Sequence, residues 1–282
     1  MKVVTTPREY QSLIADYQNE GQSIAFVPTM GFLHEGHLSL IDKAKKKSDI
    51  VVMSIFVNPT QFGPNEDFDS YPRNLSRDKV LAEQYGVHIV FIPKVEDMYP
   101  NNRMFMVNVL DRVDVLCGAS RPGHFDGVAT VLLKLFNIIR PDTAFFGMKD
   151  AQQLAVVKGL VESFHMPVTV VGCPTVREAD GLAKSSRNVR LTDIERTEAV
   201  HIFKVLEKAK HDYEQGVLAI QSIQSTVLNE LNRYIKNGSI DYVEVYTYPE
   251  LNFQFETANQ MIIAVAIQYS QARLIDNVVI EL

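Results

Sequence analysis

Ile24-Ala25-Phe26-Val27-Pro28-Thr29-Met30-Gly31-Phe32-Leu33-His34-Glu35-Gly36-His37 reads as a buried strand, a turn at Pro28 to Gly31 and the start of a helix. The helix runs on through Leu38, Leu40, Ile41 and Ala44. His34 and His37 are three apart, so the spacing predicts one shared face of the first helical turn. Free backbone N–H groups and the positive end of the helix dipole favour anions there. Two imidazoles over an anion-sized hole at a strand end point to nucleotide chemistry. Metal ligation and plain surface placement are the alternatives. A metal wants a third ligand and usually a carboxylate, and Glu35 points away if the histidines share a face. The spacing also lacks the i, i+4 pair of a zinc-protease helix.

Working outward, Thr6 as N-cap, Pro7 at the first helical position and Glu9 in the first turn predict a helix over Arg8 to Gln18, stopped by Gly21. Lys45-Lys46-Lys47 closes the helix that holds His37, where cations suit the dipole. Asp49 to Val57 is apolar on both faces, as a strand in a covered parallel sheet would be. It ends in the polar loop Asn58 to Gly63. A helix over Leu75 to Tyr85 and a strand over Val87 to Ile92 follow, giving βαβ units. Open sheets of this kind bind ligands at the carboxyl ends of their strands, so Pro28 to His37 and Asn58 to Gln61 should share a rim.

Met104 to Val109 alternates weakly and is expected as an extra strand. Arg121 to Gly127 reads as a loop and Val128 to Ile139 as a helix stopped by Arg140-Pro141. Thr143 to Phe146 is a strand leading through Gly147-Met148-Lys149-Asp150 into a helix with Gln153, Leu154, Val157 and Val161, and Val168 to Gly172 is the last strand of the sheet. After Pro174 the chain turns polar. Helices are predicted over Asp193 to Gln215 and Val217 to Lys236, and strands over Tyr242 to Tyr246 and Met261 to Gln268. The expectation is α/β: a Rossmann-like doubly wound parallel sheet over residues 1–175, then a smaller C-terminal α+β domain over 176–282.

With Lys plus Arg 28 against Asp plus Glu 34, the net charge is −6, which argues against a general nucleic-acid binder. Cys117 and Cys173 form no metal or redox spacing and are expected as reduced thiols in the cytoplasm. Met1 to Pro7 lacks the apolar run of a signal peptide, and Met261 to Ile267 is too short for a bilayer, so no membrane association is expected. Neither G-x-x-x-x-G-K-[ST] nor a strand-borne G-x-G-x-x-G occurs, which excludes a P-loop enzyme and leaves a dehydrogenase unsupported. Lys184-Ser185-Ser186-Arg187 offers two hydroxyls and two cations, a sound cradle for a triphosphate.

Six stretches resemble the pantothenate synthetase (pantoate–β-alanine ligase) family, in order. They are Pro28 to Gly31 with His34-x-Gly36-His37; Phe56 to Phe62; Tyr71-Pro72-Arg73; Arg121 to Val128; Phe146 to Asp150 with Gln152-Gln153; and Thr175 to Asn188. The resemblance runs to about Arg196, and beyond it only length and pattern agree. The family is related to class I aminoacyl-tRNA synthetases through an H-x-G-H signature and a K-M-S-K-S-like loop, which here look like His34 to His37 and Lys184 to Arg187. One position departs: the family usually carries an apolar residue, often Met or Leu, where this chain has Lys184.

The resemblance implies an ATP-dependent ligase. Pantoate would attack the α-phosphorus of ATP, and β-alanine would attack the resulting pantoyl adenylate, releasing AMP. It implies His37 and His34 as catalytic residues. ATP would meet Met30, Gly31, Phe32, Leu33, His34, Glu35, Gly36, His37, Gly147, Met148, Lys149, Asp150, Val176, Lys184, Ser185, Ser186 and Arg187. Pantoate would meet Met30, Gln61 and Gln153, with Gln61 also near β-alanine; neutral amides leave the carboxylate nucleophilic. Mg²⁺ is expected on the phosphates, its protein ligands being unknown, with Asp78 a weak candidate. Tyr71 and Arg121 are as readily loop packing and helix capping as site residues. A homodimer through the N-terminal domain is implied too. The alternative is an H-x-G-H nucleotidyltransferase acting on a phosphorylated acceptor, for which more cations at Gln61 and Gln153 would be expected.

Overall fold

The computed structural model describes residues 1–63, 66, 68–100 and 104–282. Its strands, in chain order, are Lys2–Val4 (β1), Ile24–Thr29 (β2), Ile50–Ile55 (β3), Ile89–Phe91 (β4), Thr143–Gly147 (β5), Thr169–Cys173 (β6), Ser239–Thr247 (β7), Gln260–Gln268 (β8) and Arg273–Glu281 (β9). Its helices are Pro7–Asn19 (α1), Glu35–Lys45 (α2), Leu75–Gln84 (α3), Val95–Met98 (α4), Leu116–Ser120 (α5), His124–Ile139 (α6), Ala151–Ser163 (α7), Asp193–Glu214 (α8) and Ile220–Tyr234 (α9). The chain divides into two units. One takes Met1–Leu110, Arg121–Met148 and Val156–Pro174; the other takes Asp111–Ser120, Lys149–Ala155 and Thr175–Leu282.

In the first unit β1 to β6 form a parallel sheet in the order β1-β4-β3-β2-β5-β6. Both faces are covered, as the continuous apolar strands require. Ala25 and Val27 of β2 pack with Leu38, Ile41 and Ala44 of α2. Phe26, between them, turns to the opposite face and meets Phe136 of α6 edge-on, ring centroids 6.3 Å apart. The chain order reverses between β2 and β5, the place where doubly wound sheets open a ligand crevice. Pairing of β2 with β3 runs through Pro28↔Ser54 and Thr29↔Ile55, but pairing with β5 stops at Phe26↔Ala144. The Ile24 carbonyl accepts from Asp142 N on the β5 side, and Pro28, of the same parity, has no N–H to offer there. The proline therefore ends the β2–β5 ladder where the crevice begins.

The second unit carries the antiparallel sheet β7-β8-β9. Ile202 and Leu206 of α8 and Ile223, Val227 and Leu231 of α9 share one core with Val243, Ile263, Val265, Leu274, Val278 and Ile280 of the sheet. The expected α/β architecture with a smaller antiparallel C-terminal part is present, with local differences. β1 and β9 are strands that periodicity did not single out. α6 begins at His124, so its first turn takes up most of the expected Arg121 to Gly127 loop. Met104 to Val109 is not a strand. Its backbone donors go to side chains of α6 instead: Val107 N to Thr130 Oγ1 at 2.9 Å and Val109 N to Asp126 Oδ1 at 2.8 Å. Among the described residues no helix is long and apolar enough to cross a membrane.

Candidate active site

At the carboxyl end of β2 the backbone turns through Gly31 (φ 83°) and Phe32 (φ 51°), both left-handed. A Cβ on Gly31 would lie 3.0 Å from both Asp78 Oδ2 and Ile55 Cγ2, so only glycine fits. The strain at Phe32, of order 1 kcal/mol or more, is offset from α3. Asp78, 1% exposed, accepts from Phe32 N through Oδ2 and from Leu33 N through Oδ1, both at 2.8 Å. Arg77 donates Nη1 to the Leu33 carbonyl at 2.8 Å. Asp78 thus serves the turn through both oxygens. Leu33 lies in the core, 1% exposed; its place in the site is to fix this backbone.

The two histidines do not share a helical face. His34 is extended (φ −136°, ψ 174°) and caps α2: its Nδ1 accepts from Gly36 N at 3.1 Å. His37, in the first turn, returns the bond by accepting from His34 N at Nδ1, 3.4 Å. An imidazole cap replaces the usual hydroxyl or carboxylate. The rings lie 4.1 Å apart, centroid to centroid. This corrects the expectation of free N–H groups at the helix start, because Gly36 N and His34 N are engaged in the reciprocal cap. It also sets the tautomers. A neutral ring accepting at Nδ1 carries its proton on Nε2, so both imidazoles offer Nε2–H donors in addition to the helix dipole.

At the end of β3, Asn58 is 1% exposed and makes a dense set of bonds. Its Oδ1 accepts from Tyr99 Oη at 2.8 Å and Thr60 Oγ1 at 3.0 Å; its Nδ2 donates to the Gly127 carbonyl at 3.1 Å and to Gln61 Oε1 at 3.2 Å. With its oxygen engaged, the Gln61 amide points Nε2 at Met30 Sδ, 3.3 Å away. Met30 and Gln61, predicted as neighbours from separate strand ends, therefore touch. Arg121 bridges Glu66 and the Gln61 carbonyl, and His124 Nδ1 lies 2.7 Å from the same carbonyl. Burial raises the Glu66 pKa, but the Arg121 hydrogen bonds and charge outweigh it and hold the carboxyl below its ordinary value. Arg121 thus supports the Gln61 backbone instead of capping a helix. Tyr71 is buried and packs edge-on against Phe62 at 6.0 Å, a packing role. Gly147 ends β5 beside β2, and Met148 follows it.

The second unit holds the remaining predicted residues. Gln152 and Gln153 divide their work. Gln152 is 5% exposed and ties α7 to the Arg112 and Val115 carbonyls at 2.8 Å each, while Gln153 is half-buried. Lys149 Nζ is 3.9 Å from Asp150 Oδ1. Arg177 and Ala183 pair across a hairpin whose return leg delivers Lys184 to Arg187, and Lys184 N donates to the Val176 carbonyl at 2.9 Å. Ser185 Oγ accepts from Arg187 N at 3.2 Å, curling the loop, and Ser186 is buried. Lys184 Nζ lies 3.3 Å from Glu178 Oε2, so the residue that departs from the resemblance is paired within its own hairpin. Reasoning from the sequence missed the structural parts played by Asp78, Asn58, His124 and Asp276. None of the four left a local signal in the sequence.

The family model for pantoate-beta-alanine ligase matches residues 2–279. A pantothenate synthetase of Geobacillus sp. (strain WCH70) is 52% identical over 282 residues, all of both chains. The crystal structure of pantothenate synthetase from Thermus thermophilus superposes with a TM-score of 0.92 at 40% identity, over 99% of each chain. The pantoate-beta-alanine ligase of Francisella tularensis, crystallised with beta-gamma ATP and beta-alanine, gives a TM-score of 0.80 at 34% identity, over 99% of this chain and 97% of that one. Similarity that spans the whole chain in both sequence and fold makes this protein a member of the pantoate-β-alanine ligase family.

Proposed function

We propose that the chain condenses pantoate with β-alanine at the expense of ATP, in two steps on one site. In the first, a pantoate carboxylate oxygen bonds to the α-phosphorus, and the bond from that phosphorus to the bridging oxygen breaks, releasing diphosphate. In the second, the neutral amine of β-alanine bonds to the acyl carbon; the carbon–oxygen bond to phosphate breaks, AMP leaves and the nitrogen loses a proton. The observation that carries the reading is the contact of Met30 and Gln61 beside the paired imidazoles at the β2 end. A thioether and a neutral amide hold an acid without clamping its carboxylate, which must stay nucleophilic. The negative charge that develops is met by hydrogen-bond donors, Nε2–H of His34 and His37 and the hydroxyls of Ser185 and Ser186, and by the positive charges of Lys149 and Arg187. Gly147, Met148, Asp150 and Val176 are assigned to the adenosine side, with Asp150 accepting from ribose hydroxyls. Gln153 completes the pantoate set, and Gln61 also serves β-alanine.

Mg²⁺ is proposed as the counter-ion that ATP brings. Among the described residues no three His, Cys, Asp or Glu side chains converge to hold a metal, so no protein cage fits it and no step above passes through it. A cytoplasmic setting accords with buried Cys117 and Cys173, neither of which is in a disulfide.

Incubation with all three substrates should release AMP only when pantoate and β-alanine are both present. ATP–pyrophosphate exchange should need pantoate alone. Nucleotide retained on the product would overturn the ligase in favour of a nucleotidyltransferase.

A homodimer through the first unit is proposed on the resemblance and on Met104, Phe105 and Leu110 of that unit, each over 80% exposed. Residues 176–282 are proposed as a lid that closes on ATP. One solution-scattering series tests both. The expected result is a mass above that of one 31.9 kDa chain and a smaller radius of gyration with ATP. A monomer mass sinks the first, and an unchanged radius sinks the second.

A further inference from the structure

β9 reads Arg273-Leu274-Ile275-Asp276-Asn277-Val278-Val279-Ile280-Glu281. Leu274, Val278 and Ile280 enter the core shared with α8 and α9. By strand alternation Asp276 falls in the same row, and it is 3% exposed. A carboxylate there is costly unless paired. Arg177 pairs it with both ends of its fork, Nη1 to Oδ2 at 2.6 Å and Nη2 to Oδ1 at 2.9 Å. The guanidinium also lies 3.4 Å from the ring centroid of Phe203 on α8. Asn277, 8% exposed, points to the other face and donates Nδ2 to the Lys149 carbonyl at 3.0 Å. Its own N–H donates to Asp276 Oδ1 at 2.8 Å, coupling the two side chains.

Two successive residues of one edge strand thus grip two segments distant in sequence. Arg177 begins the hairpin that ends in Lys184 to Arg187, and Nη1 of Arg177 also donates to the Gly181 carbonyl at the hairpin tip, 3.2 Å away. Lys149 precedes Asp150 and the helix that carries Gln153. We propose that Asp276 and Asn277 are positioning residues for ATP, setting the Lys149 segment and the Ser185–Arg187 loop at a fixed spacing through one rigid strand. The inference rests on the assignment of Lys149 and Ser185–Arg187 to ATP given above. An apolar pair would fill the same core volume, and buried ion pairs add little net stability over such a pair. What the charged pair adds is a directed, two-pronged hold on the Arg177 guanidinium, which in turn bonds the hairpin backbone at the Gly181 carbonyl.

The test is pantoate-dependent ATP–pyrophosphate exchange, with KM for ATP and for pantoate measured beside the melting temperature. Asn277→Ala removes the bond to the Lys149 carbonyl. It should raise KM for ATP roughly 5- to 10-fold, the usual worth of one such bond, and change KM for pantoate by no more than about twofold. Asp276→Leu should lower the melting temperature by stranding Arg177. The double variant Arg177→Met/Asp276→Leu should recover that temperature yet keep KM for ATP raised by roughly tenfold. Recovery of KM together with the melting temperature would make the pair merely structural and overturn the proposal. Should the double variant fail to fold, Asn277→Ala decides. An unchanged KM for ATP in Asn277→Ala, with a raised one in Lys149→Ala, overturns the inference and leaves the ATP assignment standing. Unchanged KM for ATP in both Lys149→Ala and Arg187→Ala overturns the ATP assignment, and the inference with it.

Discussion

His37→Ala is expected to lower pantoate-dependent ATP–pyrophosphate exchange by roughly 10²-fold or more, the usual size for losing one transition-state donor. His37 Nδ1 accepts from His34 N, so its proton sits on Nε2, where it can meet the charge that builds on the α-phosphate and the departing diphosphate. The same substitution also removes half of a reciprocal helix cap. A lost cap costs about 0.5–2 kcal/mol of stability, whereas a 10²-fold loss of rate corresponds to about 2.7 kcal/mol of transition-state stabilisation. The two effects separate in measurement, since a cap shifts the melting temperature and leaves exchange in the folded fraction unchanged. A small shift in melting with a large loss of exchange is the expected pair. Near-normal exchange in His37→Ala would remove the role given to this residue.

Much of the first unit was legible because its signals are redundant. β2, β3 and β5 are apolar on both faces, and each is followed by turn residues and a helix. The Thr6–Glu9 capping box shows at both ends of its reciprocal bond, Thr6 N to Glu9 Oε2 at 3.0 Å and Glu9 N to Thr6 Oγ1 at 3.2 Å. β1 is three residues at a sheet edge, too short for any period to register. β9 was obscured by Asp276 and Asn277, polar residues that break its alternation because both are used to hold other segments. Met104 to Val109 has a strand's side-chain pattern, yet side chains of α6 take its backbone donors. Which donor goes where is a tertiary fact with no local trace.

The site shows the same division. Met30 and Gln61, read from two motifs at separate strand ends, are in contact. How the site residues are held could not be read from the motifs, because the supports come from elsewhere in the chain. Asp78 reaches the Phe32–Leu33 turn from 45 and 46 positions away. The departure at Lys184 reads differently once Glu178 is seen beside its ammonium group: the added charge is balanced within the hairpin.

Gly127→Ala is expected to lower kcat/KM for pantoate by roughly 10²-fold while KM for ATP moves by only a few-fold, the scale of a misplacement near 1 Å in a positioned substrate. Local propensity points the other way. Gly127 lies inside α6, where alanine is favoured over glycine by about 1 kcal/mol. Sterics decide against it. A Cβ at 127 would lie 2.2 Å from the Thr60 carbonyl oxygen, 2.5 Å from its carbon and 2.7 Å from Gln61 Cα. These are backbone atoms, so no rotamer change relieves the clash. Either α6 or the Pro59–Gln61 turn must move. The turn is the weaker partner, and Asn58 ties it to the Gly127 carbonyl at 3.1 Å. A shift there breaks the chain of bonds from Gly127 through Asn58 and Gln61 to Met30, the pair assigned to pantoate. The stability cost should be about 1–3 kcal/mol, as for other overpacked sites, leaving enough folded enzyme to assay. Exchange measured against pantoate concentration, with ATP held saturating, checks the expectation. A wild-type KM for pantoate in Gly127→Ala would show that Gln61 does not need this close approach, and the pocket at the β3 end would have to be assigned to other residues.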